Sequence, residues 1–135
     1  MRTSGILMHI TSLPSPYGVG TMGSEAYKFV DFLKKAGQSY WQILPLTPTG
    51  YGDSPYQSCS TFAGNHYLID LDRLVEDGLL TQADLAGIQW NVTDDKADFG
   101  LLYRNRLNVL RKAYARFTPG KDYTCFADEN LSLIH

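Results

Sequence analysis

A chain of 135 residues and 15.1 kDa accommodates one domain at the usual ~100–200 residues per domain. Its composition, 44% hydrophobic and 19% charged, excludes a disordered or collagen-like chain. A formal charge of −2 and a pI near 5.8 exclude engagement of nucleic acid or an anionic membrane by bulk charge.

Two cysteines, Cys59 and Cys125, allow at most one bridge, so no disulfide framework is expected. The apolar run from Ile6 to Met8 is too short for a secretory signal, which needs ~7–15 apolar residues, or for a spanning helix of ~20. A soluble, cytoplasmic protein is expected.

The chain divides by chemistry. Residues 1–69 carry only three carboxylates, Glu25, Asp31 and Asp53, and are rich in glycine, proline and aromatics; residues 70–135 carry the other acids and read as amphipathic helix. Ser4 to Ile10 is a short apolar run between turn formers and predicts a buried strand. Ser24 to Ala36 has apolar residues at 26, 29, 30, 33 and 36, which is helix spacing. Ser24 is placed to N-cap that helix, Glu25 to meet its positive end, Lys34 and Lys35 its negative end, and Gly37 to stop it. Tyr40 to Leu46 predicts a second strand. Strand, helix and strand in this order form a βαβ unit, with parallel strands and a right-handed crossover.

Residues 47–66 read as a long irregular loop, a length that in a compact domain is usually functional. Loops at the carboxyl ends of parallel strands carry ligands, and the segments after His9 and Leu46 both lie at that end. Further on, Asp70 caps a short helix stopped by Gly78, Thr81 and Asp84 form a capping box, and Asp98 opens a helix to Phe117. The apolar stripe of that helix is read at 99, 102, 103, 107, 110, 113, 114 and 117.

Gly18 to Gly23 matches the dinucleotide pattern G-x-G-x-x-G. Ser12 to Tyr17 intervene between it and the strand, and no carboxylate occurs between Asp31 and Asp53 to hold a ribose at the second strand's end, so a turn feeding a helix is the better reading. Cys59, Cys125, His9 and His66 lack an orienting acid, and free cysteine is commonly a small core residue. No metal-ligand spacing occurs, and no cofactor is expected. Arg104, Arg106, Arg111, Lys112 and Arg116 read as a solvated helix face paired with Asp94, Asp95 and Asp98.

Tyr51, Asp53, Ser54, Tyr56 and Gln57 form the informative cluster. A sugar presents apolar C–H faces and rims of hydroxyls, so its site needs flat aromatic platforms beside short polar groups, and tyrosine supplies both. By residue type alone, a polyol site and a loop folded down on its own aromatics are equally good readings.

Taken as strings, Ser12-Leu13-Pro14-Ser15-Pro16-Tyr17-Gly18-Val19-Gly20 and Tyr40-Trp41-Gln42-Ile43-Leu44-Pro45-Leu46 closely resemble the 4-alpha-glucanotransferases, the amylomaltase or disproportionating-enzyme family. So do Pro48 to Gln57, Phe62 to Asn65, Tyr67 to Leu71 and Phe99 to Tyr103. The likeness covers about residues 4–117.

The resemblance implies an α/β fold: a partial (β/α)8 TIM barrel, its first βαβ unit in residues 1–69, followed by a helical inserted region in 70–135. It also implies transfer of α-1,4-glucan segments to the 4-hydroxyl of a glucan or glucose by a retaining double displacement. That chemistry needs two carboxyl groups ~5–5.5 Å apart. In the family these come from later strands of a barrel of ~250 residues, so this chain is expected to be an inactive amino-terminal piece. The expected partners are α-1,4-glucans and glucose, with no nucleic acid and no membrane. By the same likeness, Tyr56 stacks on the glucose unit at the cleavage point, with Asp53, Ser54 and Gln57 beside it. Tyr51 is an outer platform, and His9 and Ser12 face the same cleft. The alternative is a non-catalytic α-glucan-binding module.

Overall fold

The computed structural model describes residues 2–50, 52–93 and 95–130. In chain order it contains β1 (Gly5–Leu7), a 3-10 turn (Ile10–Ser12), α1 (Ser24–Lys35) and β2 (Tyr40–Gln42). A second 3-10 turn (His66–Leu68) leads into α2 (Leu71–Glu76), α3 (Gln82–Leu85), α4 (Phe99–Arg116) and α5 (Lys121–Glu129). β1 and β2 pair in parallel, Gly5 opposite Tyr40 and Leu7 opposite Gln42, as the βαβ reading requires.

β1 is shorter than expected and is not buried: all three of its residues are exposed, Leu7 at 61%. A two-stranded sheet covers each strand on one edge only, and α1 packs Phe29 edge-on against Trp41 of β2, with ring centroids 4.9 Å apart.

α1 ends as predicted, with Lys34 and Lys35 in its last turn and Gly37 at φ 69°. Its start differs. Gly23, not Ser24, is the N-cap, and Ser24 is the first helical residue. A Cβ at residue 23 would collide with the Asp70 carboxylate, so the tertiary contact fixes a glycine cap one residue ahead of the expected Ser24. Asp70 also accepts from Thr21 Oγ1 at 2.5 Å and caps α2 through the Arg73 amide at 3.0 Å. Gly20 is equally constrained, packed on the backbone of Ile10 and Leu13, so these glycines serve internal packing.

The caps of α2, α3 and α4 are the expected ones: Asp70, the Thr81–Asp84 box, and Asp98, whose Oδ1 accepts from the Leu101 amide at 2.9 Å. The stripe of α4 is phased differently. Its core face is Leu102, Arg106, Val109 and Ala113, while Tyr103 and Tyr114 are exposed. Those four positions keep one face of a 3.6-residue period, and the presence of an arginine hid the phase.

Arg106 therefore leaves the expected solvated basic face. Arg116 and Lys112 do stay outside, but they pair with Asp84 at 2.6 and 3.6 Å rather than with Asp95 or Asp98. Asp94 lies outside the described residues. Both cysteines are exposed, not core residues: Cys59 sits in the loop and Cys125 on α5, which buries none of its side chains. α5 itself was not expected, because Gly120 caps it without a side chain.

Two apolar clusters hold the chain. The larger joins Leu71, Leu80, Leu85, Leu102 and Val109 of the helical half with Val19 and Tyr67. The smaller contains Ile10, Leu13 and Leu68, flanked by Met8, Phe29 and Trp41.

Candidate functional site

Parallel pairing puts the carboxyl ends of β1 and β2 side by side. The Met8 amide donates to the Gln42 carbonyl at 3.0 Å, and Trp41 Nε1 donates to the Met8 carbonyl at 2.7 Å. One residue further, the Leu44 amide donates to His9 Nδ1 at 3.3 Å. An Nδ1 that accepts places the proton of the neutral ring on Nε2. Partial burial pushes the His9 pKa down, favouring that neutral form. His9 thus ties the two strand exits together at the mouth of the long loop.

That loop leaves at Leu46 and returns at Asn65, whose amide donates to the Leu46 carbonyl at 2.8 Å. Within it, Gly50 N–H donates to the Gln57 carbonyl at 2.9 Å, closing residues 50–57 into a smaller turn. Asp53 adopts φ 54°, left-handed and unusual for a residue with a Cβ, after Gly52 at φ 90°. The Ser54 hydroxyl accepts from the Tyr56 amide at 3.3 Å, and the Ser54 carbonyl accepts from Gln57 N–H at 3.1 Å. These backbone bonds set out the side chains: Asp53 and Gln57 are exposed, Ser54 is half-buried, and Tyr56 presents its ring at 73% exposure. The loop is not folded down on Tyr56. Tyr51 lies outside the described residues.

Ser12 ends the first 3-10 turn, exposed, its amide donating to the His9 carbonyl at 3.0 Å. It lines a cavity of about 510 Å³ with Ser15, Asn91, Lys96 and Phe99. Asp53 lines a neighbouring one of about 660 Å³ whose wall includes Thr93, Lys96 and Phe99. The two share Asp95 to Ala97 and Phe99, so the connector ahead of α4 runs between the first 3-10 turn and the loop. The Asp53 carboxylate also lies near enough to help burial push the Tyr67 phenol up.

Sequence reasoning missed this connector. Its signal was a pair of short polar residues, Asn91 and Thr93, a few positions ahead of the helix cap Asp98. Asn91 Oδ1 accepts from the Asp98 amide at 3.1 Å and folds the connector onto the helix start.

Residues 8–134 match the family model described as 4-alpha-glucanotransferase. The chain is 52% identical over 136 residues to the 4-alpha-glucanotransferase of Streptococcus pneumoniae, covering 98% of this chain and 27% of the relative. It is 54% identical over 120 residues to that of Clostridium butyricum, covering 89% of this chain and 24% of the relative. Among solved structures it is similar to the amylomaltase from Streptococcus agalactiae in complex with acarbose. That match has a TM-score of 0.89 and 46% identity, and covers 98% of this chain and 27% of that one. The chain thus spans about a quarter of the length of the relatives it matches. With a family model over nearly all its residues and half its positions identical to such relatives, the chain belongs to the 4-alpha-glucanotransferase family.

Proposed function

We propose that this chain supplies the first βαβ unit of a (β/α)8 barrel in a cytoplasmic 4-alpha-glucanotransferase, with residues 1–69 as that unit and 70–135 as a helical insertion. In the complete enzyme, an α-1,4-glucan is cleaved by a retaining double displacement and its glucosyl segment passed to the 4-hydroxyl of another glucan or of glucose. The nucleophile and the acid/base are carboxyl groups of later strands. The part played here is binding. Tyr56 offers its ring face to a glucose unit, and Asp53, Ser54 and Gln57 take its hydroxyls. Tyr51 serves as an outer platform, and His9 and Ser12 border the same cleft. The Streptococcus agalactiae amylomaltase, solved in complex with acarbose, supports an α-glucan as the ligand class.

One observation carries the reading: in the loop that follows β2, closed by the Gly50–Gln57 backbone bond, Tyr56 presents its ring to solvent at 73% exposure. Titrating maltoheptaose into the ¹⁵N-labelled chain tests it. Shifts at Asp53, Ser54 and Tyr56 that vanish in Tyr56→Ala are expected, and a flat titration overturns the reading. Maltotriose incubated with the 135-residue chain is expected to remain unconverted, because the catalytic carboxyl pair is supplied by other strands. Disproportionation products would refute that.

A further inference from the structure

Among the described residues, Arg106 is the only charged side chain that is buried, with 0% exposure on the core face of α4. Its Nη2 donates to the carbonyl of Ile69, while Nε and Nη1 find no hydrogen-bond partner among the described residues. Packing alone does not call for an arginine here, since an apolar side chain of similar volume would fill the site without the cost of burying a charge.

The accepting carbonyl explains the placement. Ile69 ends the 3-10 turn His66–Leu68, its own amide donating to the His66 carbonyl at 3.4 Å. Asn65 begins that turn: its Oδ1 accepts from the Tyr67 amide at 2.9 Å, and its amide closes the long loop on Leu46 at 2.8 Å. Next along the chain, Asp70 holds Thr21 and caps α2, and its charge favours the guanidinium. One guanidinium thus joins the backbone just after the loop stem to α4, beside the carboxylate that caps α2.

We infer that Arg106 is a positioning residue for the Leu46–Asn65 loop, fixing its stem to α4 through the Ile69 carbonyl and so setting where Asp53, Ser54 and Tyr56 stand. Its bearing on sugar binding rests on the function proposed above; the positioning itself does not.

Native-state amide exchange of the full chain, followed by NMR, tests it with Arg106→Met and Arg106→Lys. Arg106→Met keeps most of the side chain's volume but not its donors, and is expected to fold. Its Asn65 and Gly50 amides should nevertheless exchange about tenfold faster or more, relative to the Ala36 amide at the end of α1. Arg106→Lys, which keeps a donor, should recover part of that protection. Unchanged Asn65 and Gly50 amides in a folded Arg106→Met, or an acceleration shared equally by Ala36, would overturn the inference.

Should Arg106→Met fail to fold, the parent chain decides. Under low denaturant the Arg106 Nη protons and the Asn65 amide should open together, and separate openings refute the link. A flat maltoheptaose titration of the parent removes the sugar reading alone, leaving the positioning to the exchange data.

Discussion

The two halves of the chain solve opposite problems. From Asp70 onward, short capped helices close on a cluster in which Leu71 and Leu102 have no exposure at all. Before it, two three-residue strands leave Leu7 and Tyr40 in solvent over a cluster of only three buried residues, Ile10, Leu13 and Leu68. The candidate sugar loop belongs to the sparsely packed half, yet its stem is held by the dense one. The open sheet edges are unpaired backbone that further strands would cover, whereas the helical half caps α2, α3 and α4 with its own side chains. The candidate loop therefore sits where burial is least, and its stem meets the region where burial is greatest.

The contrast can be tested, beginning with the largest effect. Leu102→Ala in the dense cluster should cost about 3–4 kcal/mol of urea-unfolding stability, because a fully buried leucine leaves a cavity that neighbours cannot fill. Ile10→Val in the small cluster should cost about 1 kcal/mol. Equal losses from the two, or a larger loss at Ile10, would erase the distinction.

Acid should act next. His9 and His66 both have pKa values held below 6.5, His9 by burial and His66 by burial and then by the charge of Arg106. The unfolded chain takes up protons at these rings before the folded chain does. Stability is therefore level above about pH 7 and falls as pH drops through 6.5 toward the lowered folded values. Urea midpoints between pH 7.5 and 5 should follow that course, and His9→Gln should flatten part of it.

The smallest effect on stability belongs to the site. Tyr56→Ala should change the urea midpoint by less than about 0.5 kcal/mol, since the ring is 73% exposed, while removing the response to maltoheptaose. A marked loss of stability would mean that the ring holds the loop rather than serving a ligand.

What could be read along the chain was whatever a single turn decides. Asp70, Thr81 with Asp84, and Asp98 each bond an amide three residues away, and Gly37 and Gly78 stop helices by their own backbone, so those boundaries were legible. The loop was legible too, since Gly50 to Gln57 combines turn formers with tyrosine and carboxylate in eight residues. The cap of α1 was not, because Gly23 answers to Asp70, 47 positions on. The phase of α4 was not, because an arginine at 106 reads as surface until Ile69 comes to meet it.

By itself the sequence determined the starts of α2, α3 and α4, the parallel βαβ order and the family, because each is written in local hydrogen bonding or in contiguous strings of residues. Only the tertiary structure decided that Arg106 is buried, that β1 stands open, and that the connector before α4 shares cavity walls with Ser12 and Asp53. Those outcomes depend on contacts between segments tens of residues apart. Burial is a property of the assembled surface, and no window along the chain contains it.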